Sequence, residues 1–318
     1  MSKNFEDILQ SINWNIEPLN LYKPIDYTLQ SGGKRLRPML VQFACRLFGK
    51  EPDWAENAAV AIEIFHNFTL LHDDIMDNSP MRRNKETVHR KWNANTAILS
   101  GDAMMIKSYE FLTKIPAKYW EKVFPLFTKT ALEVCEGQQY DMDFEDLGSV
   151  SLEQYFEMIR LKTAVLLACS LKIGAIIADA SEKDANLLYD FGIALGIAFQ
   201  LKDDYLDAFG DEKLLGKRVG GDILCKKKTF LLLSAIERSK DDIKNLLQIT
   251  IGSRFINDEK KISIITQIYK KLNIQKICEA ELEKYYTLAI NYLDKISVDK
   301  MNKSSLMDLS QKLLVRKN

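Results

Sequence analysis

Two stretches of the chain, "AENAAVAIEIFHNFTLLHDDIMD" and "NLLYDFGIALGIAFQLKDDYLD", read as helices apolar around most of their circumference, and both end in the pattern DDxxD. A helix apolar on every side belongs in the middle of a bundle. Clustered carboxylates do not, unless something compensates their charge. Any fold open to this chain must bury both helices and still supply their acidic ends with cations.

The rest of the sequence fits a bundle. Only 14 glycines and 7 prolines punctuate 318 residues, and 47% of the residues are apolar, enough for a large core. Periodicity predicts helices over 38–48, 55–77, 96–114, 119–144, 151–178, 182–209, 226–238, 241–250, 258–271, 275–296 and 304–315. No stretch alternates as a strand, so the class is all-α, with 1–318 as a single domain free of linkers and repeats. Lysine plus arginine and aspartate plus glutamate number 44 each, which argues against a nucleic-acid partner. The five cysteines (45, 135, 169, 225, 278) are odd in number and far apart, the usage of a reduced, cytoplasmic protein. The N-terminus is mixed and acidic, unlike a signal peptide. The longest apolar run, "AVLLACSLKIGAIIA", is broken by Lys172 and too short for a transmembrane segment.

On a helix, Asp73 and Asp77 share one face, as do Asp203 and Asp207, with Cβ atoms about 6 Å apart. Asp74 and Asp204 point roughly 100° away and suit a supporting place behind the metal ligands. Each cluster lies at its helix's C-terminal end, where the macrodipole disfavours anions and like charges at i,i+4 repel. Carboxylates without histidine or thiolate partners suit Mg²⁺, or Mn²⁺, better than zinc. A single DDxxD reads as readily as a solvated acidic face; its recurrence behind a second apolar helix argues against that. Cations follow the same logic. "SGGKRLRP" places Lys34, Arg35 and Arg37 behind two glycines at a helix start, a setting that favours an anion. Arg82 and Arg83 follow the first acidic cluster, and Lys217, Lys227 and Thr229 the second. Lys226 and Lys228 read as a solvated helix start.

In order along the chain, "GGKRLRP", "EIFHNFTLLHDDIMD…RR", "SGDAMM", "CEGQQYDMDFE", "LKTAVLL", "GIAFQLKDDYLD" and "GKRVGGDILCKKKT" resemble the motifs of trans-isoprenyl diphosphate synthases, the polyprenyl synthetases. Beyond about residue 240 no motif contributes. The resemblance implies an isoprenoid-synthase-type helical bundle around a deep central cavity, acting as a homodimer. It implies Mg²⁺-dependent, head-to-tail condensation of isopentenyl diphosphate with an allylic diphosphate (dimethylallyl, geranyl or farnesyl), with three Mg²⁺ ions per active site and Mn²⁺ as a substitute. Asp73, Asp77 and Asp203 then hold metal, with Asp74, Asp204, Asp207 and Asp222 ligating it or standing behind. Arg82, Lys162, Lys217 and Lys227 bind the allylic diphosphate, Thr163 and Gln200 turn oxygen atoms to the allylic cation, and Lys34, Arg37, His66 and Arg83 hold the diphosphate of isopentenyl diphosphate. The catalytic set is Asp73, Asp77, Asp203, Lys162 and Lys217.

Product length has its own signature. Phe68 lies five residues before Asp73, about 7.5 Å along the helix, and Thr69 lies one turn below Asp73. An aromatic at that position, with no insertion in DDIMD, resembles enzymes that stop at twenty carbons; fifteen carbons is the next reading. Phe68 forms the floor, with Met104 or Met105 from a neighbouring helix. His72, Phe111, Tyr140, Tyr155 and Phe156 read as packing residues. One departure from the family is Asn84, where glycine is usual; asparagine tolerates positive φ, so the turn is expected to survive. Three rivals fit less well. A terpene cyclase lacks the second DDxxD, a phosphohydrolase needs more histidines than His66, His72 and His89, and a regulatory prenyltransferase subunit tends to lose the aspartates that are intact here.

Overall fold

A computed structural model describes residues 4–211 and 219–315. The chain forms two compact units, Met1–Leu126 with Ser170–Ala185, and Phe127–Cys169 with Asn186–Asn318.

The first unit begins with α1 (Phe5–Ser11) and α2 (Leu19–Leu29), followed by α3 (Leu36–Leu47), α4 (Glu56–Met76), α5 (Val88–Lys91) and α6 (Ala94–Leu112). Periodicity did not reveal α1 or α2. The first is short, and the second carries Pro24 inside it; burial of Ile25 and Leu29 holds it despite poor local propensity. Ile62, Phe65, Met104 and Leu112 are fully buried in this unit. Strand β1 (Met81–Arg82) pairs antiparallel with β2 (Lys85–Glu86), a correction to the strandless expectation. Arg83 (φ 50°) and Asn84 (φ 60°) form its two-residue turn, both left-handed as a type I′ hairpin requires. A two-residue strand is too short to leave an alternating pattern.

The second unit takes in most of α7 (Trp120–Asp146), all of α8 (Leu152–Ile159), the start of α9 (Val165–Ile177) and most of α10 (Glu182–Phe209). It continues through α11 (Gly221–Leu224), α12 (Phe230–Arg238), α13 (Asp241–Gly252), α14 (Asp258–Lys271), α15 (Ile274–Asp294) and α16 (Lys300–Val315). The helix expected over 151–178 is interrupted by a π-helical turn, Arg160–Ala164. The helix expected from 226 begins at Phe230, because Thr229 caps it by accepting from the Leu232 N–H. Tyr155, Ile159, Leu201, Phe230, Ile265 and Cys278 belong to one buried cluster. Among the described residues no helix is long and apolar enough to cross a membrane.

Candidate active site

The C-terminal half of α4 carries the first group of site residues. Asp73 keeps 18% of its side chain exposed, Asp77 caps the helix in the open, and Asp74 turns inward to 5% exposure. The β1–β2 hairpin sends Arg82 back onto the helix. Its Nη2 donates to Asp73 at 3.0 Å and its Nε to Asp74 at 2.7 Å. Burial pushes the Asp74 carboxyl up to about 6 although Arg82 pulls it down.

Two turns earlier on α4, the Nη1 of Arg37 lies 3.0 Å from the Nε2 of His66. Burial, and then the charges of Arg37, Arg83, Arg82 and Arg35, hold the His66 pKa well below the ordinary imidazole value. The ring is therefore neutral, with Nε2 accepting from Arg37 and the proton on Nδ1. Burial also lowers the Arg37 pKa, to about 10, leaving it charged at neutral pH. The Nε of Arg37 is buried without a hydrogen-bond partner among the described residues, a donor suited to an oxyanion. Arg83 donates to the Gly32 carbonyl, and its guanidinium lies where a Cβ on Gly33 would come within 2.7 Å. Gly33 also has φ +133°, so the backbone demands glycine, and its missing Cβ leaves room for that guanidinium. Arg37, His66 and Arg83 thus come together, and Lys34 lies exposed in the loop that precedes Arg37. Arg35, grouped with these cations by sequence, turns the other way: it is 7% exposed, and its guanidinium donates to Glu6, Glu63 and the Leu29 carbonyl.

The second unit carries the second group. Lys162 sits in the π-helical turn, a device often found at functional sites, and donates to Asp141 at 2.6 Å. A Cβ on Gly137 would run into the Lys162 backbone, so glycine there lets α7 approach this turn. Thr163 donates to the Gln200 carbonyl oxygen at 3.1 Å, and the Gln200 amide donates to Asp204 at 3.0 Å. Asp204 is 4% exposed and also accepts from the Tyr155 hydroxyl (2.7 Å) and the Phe230 N–H (3.2 Å). Burial pushes its pKa up to about 6 against these three donors. Asp207, also buried, accepts from the Asp222 N–H at 3.0 Å. Asp203 and Lys227 are half-buried. Lys217 lies outside the described residues.

Among the described residues no three histidine, cysteine or acidic side chains converge as a metal cage. Mg²⁺ takes one or two carboxylates and completes its shell with water and substrate phosphate, so it needs no such cage. Asp73, Asp77 and Asp203 keep part of their side chains toward solvent, whereas Asp74 and Asp204 are buried against protein donors. One turn before the acidic end of α4, Phe68 is 7% exposed and packs edge-on to His72 at 4.8 Å and against Phe65 at 5.5 Å. Thr69 donates to the His66 carbonyl, Met104 is fully buried and Met105 is 38% exposed.

Sequence reasoning missed Tyr155, Asp141, Glu63 and Glu6. Each is the partner of a charged or acidic motif residue. The available signal was that a buried Asp or Arg requires a partner, although nothing in the sequence says which residue supplies it.

The polyprenyl synthetase family model matches residues 18–270. A geranylgeranyl diphosphate synthase from Sulfolobus acidocaldarius is 39% identical over 303 residues, covering 92% of this chain and 91% of that one. A geranylfarnesyl diphosphate synthase from Natronomonas pharaonis is 37% identical, over 71% of each chain. The crystal structure of a geranylgeranyl pyrophosphate synthase superposes with a TM-score of 0.94 at 44% identity, covering 99% of this chain and 97% of that one. With an all-α isoprenoid-synthase fold and the ordered motifs in place, the chain belongs to the polyprenyl synthetase family and is a prenyltransferase that makes short-chain trans-prenyl diphosphates.

Proposed function

We propose that this protein condenses isopentenyl diphosphate head-to-tail with an allylic diphosphate in a Mg²⁺-dependent reaction, and that its main product has twenty carbons. The observation that carries the reading is the layout of α4. The cationic pocket at His66 and the acidic pair at Asp73 and Asp77 share nearly one face of a rigid helix, about 10.5 Å apart along its axis. One diphosphate is held by Lys34, Arg37, His66 and Arg83. In the first unit Arg82 is assigned to the other diphosphate and Asp73 and Asp77 to metal; in the second, Lys162, Lys217 and Lys227 are assigned to that diphosphate and Asp203 and Asp207 to metal, with Asp74 and Asp204 fixing their neighbours. Bound Mg²⁺ supplies neutralisation of the charge on the leaving diphosphate.

The allylic C–O bond breaks, leaving diphosphate and an allylic cation. Oxygen atoms of Thr163 and Gln200 stabilise that cation, and the pocket presents the double bond of isopentenyl diphosphate to it. A new C–C bond forms, and the proton lost from the adjacent carbon goes to the released diphosphate. Phe68, Thr69 and Met104 set the floor beneath the growing chain. Twenty carbons is favoured by Phe68 and by the name of the Sulfolobus relative; the Natronomonas relative's name marks how readily length shifts within the family.

The family match runs across both units, supporting one functional domain. A homodimer is supported by Ile98, Leu99, Met105 and Ile106, an exposed apolar stripe on α6. The five free cysteines support a cytoplasmic setting. The test is incubation with Mg²⁺, labelled isopentenyl diphosphate and primers of five, ten and fifteen carbons, followed by identification of the dephosphorylated products. Twenty-carbon alcohol is expected from all three primers, and Asp73→Ala should abolish turnover. Retained turnover in that variant would overturn the metal assignment.

A further inference from the structure

Arg35 occupies an unusual position. It takes a left-handed backbone conformation (φ 46°, ψ 36°) at the N-cap of α3, between Lys34 and Arg37. A non-glycine residue persists there only when its surroundings over-determine it. Three elements do so. From α1, Glu6 receives the Nε at 2.8 Å and an Nη at 3.3 Å, a bidentate fork. The end of α2 offers the Leu29 carbonyl at 2.6 Å. From α4, Glu63, itself 2% exposed, receives Nη1 at 2.6 Å.

Glu63 is tied in turn to Asn67, whose amide donates to the Glu63 carboxylate and carbonyl at 2.9 and 2.8 Å. It lies three residues before His66, which meets Arg37. The guanidinium of Arg35 is thus spent on protein acceptors. It locks the loop carrying Lys34 and Arg37 to the helix turn carrying His66.

We propose that Arg35 is a positioning residue for the isopentenyl-diphosphate pocket, and that α1, through Glu6, is part of the same device. This rests on the reading of that pocket given above. A planar fork matched to two carboxylates and a carbonyl fixes direction as well as charge, which a lysine cannot do. Misplacing a binding group by about 1 Å is enough to cost up to a hundredfold. The effect should fall on the substrate whose diphosphate the loop holds.

The experiment compares full-length Glu6→Gln, Arg35→Lys and Arg37→Gln by steady-state kinetics, varying each substrate in turn, and by calorimetric titration with isopentenyl diphosphate. Glu6 is half-exposed, so Glu6→Gln should fold with a thermal midpoint close to wild type. It is expected to raise KM for isopentenyl diphosphate several-fold, and Arg35→Lys to raise it about ten- to a hundredfold, while KM for the allylic substrate stays within about twofold. Binding of isopentenyl diphosphate should weaken in parallel. Equal changes in both KM values, or none in either variant while Arg37→Gln impairs isopentenyl diphosphate binding, would overturn the positioning role alone. Unchanged binding in Arg37→Gln would bring down the pocket reading, and this inference with it.

Discussion

At the scale of single residues, His66 shows how packing sets chemistry. An imidazole surrounded by four arginines stays neutral in the folded protein, while in the unfolded chain it titrates near 6.5. Below pH 6.5 the unfolded state therefore binds a proton that the folded state does not, and stability falls as pH drops. Urea denaturation at pH 7.5 and 5.5 should show a smaller loss in His66→Gln, by at most about 1.4 kcal/mol per pH unit. Diphosphate beside the ring reverses the balance by adding negative charge. Titration with isopentenyl diphosphate near pH 6.5, in buffers of different ionisation enthalpy, should show proton uptake in the wild type and none from this site in His66→Gln. Glu63 is the other telling residue. With 2% of its side chain exposed and Arg35 at 2.6 Å, Glu63→Ala leaves the buried Nη1 of Arg35 without its acceptor, while Glu6 and the Leu29 carbonyl keep the rest of the guanidinium paired. Chemical denaturation should register a loss of roughly 1–3 kcal/mol.

At the scale of elements, the β1–β2 hairpin decides where two arginines point. Its turn needs positive φ at Arg83 and Asn84. Asparagine meets this demand with a local polar side chain, so a departure from glycine leaves the hairpin intact. Asn84→Gly should retain wild-type kinetics. Asn84→Val adds about 1–2 kcal/mol of backbone strain and should raise KM for both substrates, since the proposed function assigns Arg82 and Arg83 to different diphosphates. A Val variant with unchanged KM values would show that the hairpin does not aim these side chains. The π-helical turn at Lys162 makes the same point from the other side. "LKTAVLL" has strong helical periodicity, yet it holds a π-helical turn, and the backbone of that turn packs against Gly137 of α7.

At the scale of the whole molecule, Phe68 and the apolar stripe on α6 carry the predictions for product length and assembly. Phe68 is nearly buried among Phe65 and His72; Phe68→Ala removes the proposed floor, and the main product should gain at least one five-carbon unit by chromatography. An unchanged product would remove Phe68 from that role. On α6, Leu99 is 60% and Ile106 66% exposed. Replacing both with aspartate should halve the mass measured by light scattering if this stripe joins two copies. The sequence by itself determined the all-helical class, the two acidic clusters and most helix bounds, because periodicity and i,i+4 geometry are local. The resemblance of its motifs singled out Lys34, Arg37, His66 and Arg83 for one diphosphate, an assignment that rests on order and spacing along the chain. Only the tertiary structure decided which charges are held by which protein partners. Arg35 and Arg37 look alike in "GGKRLRP", yet one is bound to Glu63 across 28 residues while the other meets His66 across 29. Asp203 and Asp204 are neighbours, yet Tyr155, 49 residues away, cages only the second. A side chain's partner and its burial are set by which elements pack together, and that information is not local in the chain.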